Sequence, residues 1–119
     1  ANQNLDRLDQ AVGDYQRAIE KTDRIGRPGS EAAARAQFMI GEIQFQRKQH
    51  DEAVKSFFKA AYGYEHPKWK ADATYEAGRC FEVLGQKTQA VKMYQELVDK
   101  YPDSDKTPLA KERLTQLRG

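Results

Sequence analysis

The histidines and the single cysteine of this 119-residue chain, His50, His66 and Cys80, are the side chains to weigh first for catalysis, and their placement argues against that use. The histidines fall in separate interruptions of the helical pattern with no ligand spacing between them. No HExxH and no glycine-rich phosphate cradle occurs. Cys80 stands beside Phe81 in an apolar stretch, so it reads as a core residue, and one thiol allows neither an internal disulfide nor a zinc site built on several thiolates. No enzyme, cofactor or metal is expected. Two other sets of residues suit recognition. Arg35, Phe38, Glu42 and Phe45 are spaced three, four and three apart, and so are Asp72, Tyr75, Arg79 and Glu82. On a helix that spacing puts each set on one face, mixing aromatic rings with charge of both signs.

The elements that hold these residues are helices. Charged residues make up 32% of the chain and mean hydropathy is −0.92. No apolar run approaches the roughly 18 residues that cross a bilayer, so no membrane span is expected. Lysine plus arginine number 20 against 18 for aspartate plus glutamate, a net charge of +2 with the signs interspersed. A nucleic-acid partner would call for a more lopsided balance. The start at Ala1 without an initiating Met reads as a processed or excised piece.

Taken in order, Leu8, Ala11, Val12, Tyr15, Ala18 and Ile19 give the apolar stripe of a leading helix over 5–25, which the Gly26–Ser30 loop breaks. A helix rich in alanine follows from Glu31 to Lys48. Gln49 and His50 then make a turn, and Asp51 is the expected N-cap of a helix carrying Ala53, Val54, Phe57, Phe58 and Ala61. Pro67 interrupts, and helical spacing resumes from Trp69 through Ala73, Ala77, Phe81 and Leu84. Gly85 closes that helix as a left-handed residue. Thr88 is the expected cap of the next, which ends at Pro102; Thr107 and Pro108 open a last one marked by Leu109, Leu114 and Leu117. The count is about six helices and no strand.

The chain also repeats itself. Ala34 and Ala71, Phe38 and Tyr75, Gly41 and Gly78, Asp51 and Thr88, Ala53 and Ala90, Phe57 and Tyr94, and Tyr64 and Tyr101 are all 37 residues apart. A third copy would begin at Pro108, where the last helix begins. Asp9, Ala11, Tyr15 and Ala18 echo Asp51, Ala53, Phe57 and Ala60 at 42 residues, the excess being the Gly26–Ser30 loop. The unit resembles the tetratricopeptide repeat family on Ala77, Gly78, Phe81, Ala90, Tyr94 and Pro102. The earlier copy keeps Ile40, Gly41, Ala53, Phe57 and Ala60, but has Gln44 where the aromatic belongs and Glu65 where the proline belongs.

That resemblance implies an all-α solenoid forming a single domain over 1–119: the leading helix, a repeat over 31–64, a repeat over 69–102 and a capping helix over 107–118. It further implies that the first helices of the repeats line a concave groove. There Arg35, Phe38, Glu42, Phe45, Asp72, Tyr75, Arg79 and Glu82 would bind a peptide or helix of a protein partner, with no catalysis. A competing reading makes the same charges ordinary solvated surface and puts Phe38 and Phe45 in the core. Trp69 is read as packing over the loop before it, and Lys55, Lys59 and Lys92 as a solvated convex face. A second function class is a structural segment of a longer array, or a module that self-associates through unpaired terminal helices. More narrowly, the ending Tyr101–Leu117 is similar to bacterial envelope repeat proteins of outer-membrane assembly and of Tol-Pal-linked division. This likeness implies a periplasmic or envelope scaffold rather than a cytoplasmic one.

Overall fold

The computed structural model describes residues 31–64 and 66–118, with Gly13 besides; the leading helix and the Gly26–Ser30 loop lie outside the described residues. Among these residues five helices follow one another and no strand occurs: α1 (Glu31–Gln46), α2 (His50–Tyr62), α3 (Pro67–Val83), α4 (Lys87–Lys100) and α5 (Thr107–Arg118). Each packs against the next, and α1 also touches α3, so the first helices of the two pairs lie side by side.

Both pairs close on the same joint. An added Cβ at Gly41 would fall 2.7 Å from Phe57 Cε1, and one at Gly78 would fall 2.6 Å from Tyr94 Cε1. Phe57 and Tyr94 are both fully buried, so each ring lies flush on a glycine because no side chain larger than hydrogen fits beneath it. Alanine at positions 53, 60, 73, 77 and 90, each fully buried, lets the backbones approach around these rings. Leu97, Met93, Cys80, Phe81, Ala110 and Leu114 carry the same core on into α4 and α5.

The turns repeat as well. The Gln49 amide bonds the Gln44 carbonyl at 2.8 Å, and the Gln86 amide bonds the Phe81 carbonyl at 2.8 Å. Inside each turn one residue takes a positive φ, Lys48 at 61° and Gly85 at 76°. Glycine adopts this at no steric cost, whereas lysine is strained there, so the first turn is held by its neighbours.

Three expected helix starts differ. α2 begins at His50 after Gln49, and α4 at Lys87 after Gln86, with no side-chain cap bond at either; Asp51 and Thr88 lie one residue inside the first turn. An acid there still favours the positive end of the helix dipole, which is the use α2 makes of Asp51 and Glu52. Pro67 starts α3 rather than interrupting it, because the first helical position needs no amide hydrogen. Leu109 is 41% exposed and takes no part in the core that Leu114 joins. Thr107 donates its hydroxyl to the Tyr101 carbonyl, tying the start of α5 to the end of α4.

Where the first pair departs from the second, its polar residues answer each other. Gln44 and Ser56 stand where the second pair has Phe81 and Met93, and the Ser56 hydroxyl donates to Gln44 Oε1 at 2.5 Å. A buried hydroxyl needs such a partner, and the pair supplies it internally.

Candidate functional site

The face shared by α1 and α3 carries the eight residues singled out above. Phe38 is only 7% exposed. Its ring packs at 5.4 Å from Phe57 and 5.4 Å from Trp69, and it belongs to the core, as the competing reading had it. Trp69 fills the space over Phe38, and its Nε1 is buried with no acceptor. Phe45 lies one residue past Gln44, the residue that bonds Ser56. It stays half-buried, edge-on to His50 at 4.8 Å, with the Arg79 guanidinium 5.0 Å above its ring. α1 and α3 thus meet through Phe45 and Arg79. Arg35 is exposed and Glu42 half-buried on α1.

On α3, Arg79 donates to Glu76 Oε2 at 2.9 Å. Glu76, one turn before, is 6% exposed where the first pair has Met39, and burial pushes its carboxyl above the usual range against the pull of Arg79. Sequence reading passed over Glu76; an acid in the place of a methionine 37 residues earlier was the signal for it. Tyr75 lies half-buried at 5.7 Å from Tyr94, with the Lys106 ammonium 5.6 Å over its ring. Asp72 is half-buried, and desolvation raises its carboxyl although Lys106 and Lys68 draw it down.

Glu82 is not left for a partner. It accepts from Arg113 Nε at 3.1 Å and from a second nitrogen of the same guanidinium, and it accepts the Tyr94 hydroxyl at 2.5 Å. The Arg113 bonds hold its carboxyl below the usual glutamate range. This knot joins α3, α4 and α5. Because its folded value is depressed, the stability it contributes is present above the ordinary value of 4.5 and is lost as pH falls through the folded one. Arg113→Met is therefore expected to cost about 1 kcal/mol at pH 7. Urea midpoints should show the gap from the parent shrinking at pH 3, and a gap that stays constant would show that the pairing carries none of it.

Cys80 is fully enclosed, and burial pushes its thiol up to about 12, which suits packing rather than reactivity. Among the described residues no three histidine, cysteine, aspartate or glutamate side chains gather as a metal would require, and no helix is long and apolar enough to cross a membrane. The lysines at 55, 59 and 92 are exposed on α2 and α4, Lys55 lying 3.6 Å from Glu52.

Between the start of α3 and the α4–α5 loop opens a cleft of about 720 Å³. Its wall mixes Pro67, Pro102 and Tyr101 with charged side chains, among them Lys68, Asp72 and Lys106.

Two tetratricopeptide repeat family models match the chain, one over residues 3–68 and the other over residues 72–104. The first takes in α1 and α2, the second most of α3 and all of α4. Both describe the repeat in general and do not single out the envelope proteins of that type. No characterised protein matches the chain as a relative.

Proposed function

The chain belongs to the tetratricopeptide repeat family, whose repeats mediate protein–protein interaction and scaffolding, and from that premise we propose that it is a non-catalytic scaffold gripping a peptide or helix of a protein partner on the α1–α3 face. The contact of Arg79 with Phe45 carries this reading: it joins the two first helices into one surface, on which Phe45, Asp72 and Tyr75 stay half-exposed and Arg35 and Arg79 exposed. Two contacts shape the site in this reading. Phe38 supports it from below, and Glu82 fixes its end instead of meeting the partner.

The competing class, self-association or continuation of an array, finds no socket at α5. Thr115 and Arg118, both exposed, stand there in the places that Gly78 and Phe81 hold on α3. A ring cannot nest on a threonine as Tyr94 nests on Gly78. A role in bacterial envelope assembly or division follows from the likeness of the Tyr101–Leu117 ending, and fractionating the native protein between periplasm and cytoplasm tests it.

The scaffold reading is tested by selecting binding peptides from a displayed random library and mapping them by amide chemical shifts. The expected changes fall on residues 35, 42, 45, 72, 75 and 79. Tyr75→Ala with Arg79→Ala should weaken capture while the circular dichroism of the fold is kept. Shifts confined to Lys55, Lys59 and Lys92, or no selected binder at all, would count against it.

A further inference from the structure

Two glutamates of α3, Glu76 and Glu82, each hold an arginine, but they serve different neighbours. Glu82 accepts from Arg113 of α5. Glu76 accepts from Arg79 Nη1 at 2.9 Å, and the same guanidinium lies 5.0 Å over the ring of Phe45 on α1. The Glu76 side chain is 8% exposed against 45% for Arg79, so the sheltered acid is the anchor of this bridge and the arginine is its outer arm. A buried carboxylate costs folding free energy even when paired, and the first pair does without one, having Met39 at the same place. What a methionine could not do is bond Arg79 where it covers Phe45.

The groups that act on this carboxyl come from several elements. On α3 itself they are Arg79, with Tyr75 and Cys80 on either side feeling its charge. Glu42 opposes its ionisation from α1, and Lys106 favours it from the α4–α5 loop. At the start of α2, His50 stands 4.8 Å from the Phe45 ring. Burial outweighs the two cations, so Glu76 takes its proton above the usual glutamate range, whereas Glu82 keeps its charge to a lower pH. The signs of the two are opposite. Burial penalises the charged form of Glu76, so adding its proton favours the folded state; the stability that acid removes is that of Glu82, below its ordinary value of 4.5. As acid is added, Arg79 loses its anchor first and Arg113 later.

Resting on the groove reading above, we infer that Glu76 is the positioning residue of the α1–α3 face. As a carboxylate it holds Arg79 over Phe45. Once protonated it frees Arg79, and the face loses this bridge while the knot of Glu82 with Arg113 stays closed. A partner gripped on that face is held at neutral pH and released in mild acid.

The test follows the Arg79 Nε–H and Phe45 ring signals against pH, in a His50→Gln background that removes the imidazole beside the ring. Both are expected to move together with a midpoint above 4.5, while the circular dichroism stays that of the neutral protein. Glu76→Gln keeps the size without the charge and should abolish the step. Glu42→Gln should keep the step and lower its midpoint, since one repelling carboxylate is gone. A step that survives Glu76→Gln, a step that vanishes with Glu42→Gln, or no step above 4.5 overturns the role assigned to Glu76. A peptide selected on the α1–α3 face from a library lacking acidic residues and histidine should bind about threefold more weakly at pH 4.5 than at pH 7, and equally at both in Glu76→Gln. If it maps to the face and its affinity does not change with pH, the release in acid is overturned and the groove reading stands. If selected peptides map elsewhere, the groove reading fails, and the step at Arg79 still decides whether Glu76 positions it.

Discussion

Tyr94→Ala is expected to remove about 3–5 kcal/mol of folding stability, a large part of what a domain of this size has. The ring is fully buried, it covers Gly78 at van der Waals contact, and its hydroxyl is one of three bonds that bring Glu82 and Arg113 together. Truncation leaves a void between α3 and α4 at a fully enclosed position. Tyr94→Phe separates the two contributions. It keeps the ring and loses only the hydroxyl, for about 1 kcal/mol. Urea unfolding followed by circular dichroism reads both, and a loss below about 1 kcal/mol for Tyr94→Ala would mean the joint lies elsewhere.

The other side of the joint gives the second large effect, Gly78→Val. The first added carbon would lie 2.6, 2.9 and 3.0 Å from three atoms of the Tyr94 ring, and the enclosed ring has nowhere to move. Glycine in a helix costs about 1 kcal/mol relative to alanine, so a small gain in helix propensity opposes the clash. Valine gains less propensity and adds two more carbons to the collision. A net loss of about 3 kcal/mol is expected, the upper part of the range for overfilled cores. The decisive measurement is the double variant: with Tyr94→Ala in place the space is open, and Gly78→Val should then cost little. Simple additivity of the two losses would break the argument.

This joint was legible in the sequence because glycine and aromatic recur together 37 residues on, and chemistry at each position explains the spacing. The left-handed residue at Gly85 was legible for the same reason, while its counterpart Lys48 was not, since lysine carries no signal of a positive φ. Helix starts were read from side-chain oxygens, and α2 and α4 begin without them. The eight candidate residues were placed on the right helices by periodicity, but a period of three and four cannot tell how deep a face sinks. Phe38 went under Trp69, which comes from the other pair, and Glu82 was taken by Arg113, 31 residues away. Lys106 was missed outright because it reaches α3 from a loop, where no helical pattern points to it.

The ring-on-glycine joint has one more consequence, for length. Each joint is satisfied entirely within its own pair, Phe57 on Gly41 and Tyr94 on Gly78, and neither ring reaches into the other's socket. Pairs are thus self-sufficient in this contact and meet one another through other rings, Phe38 on Trp69 and Phe58 on Phe81. A protein made this way can be lengthened or shortened in 37-residue steps during evolution without redesigning what holds each step together.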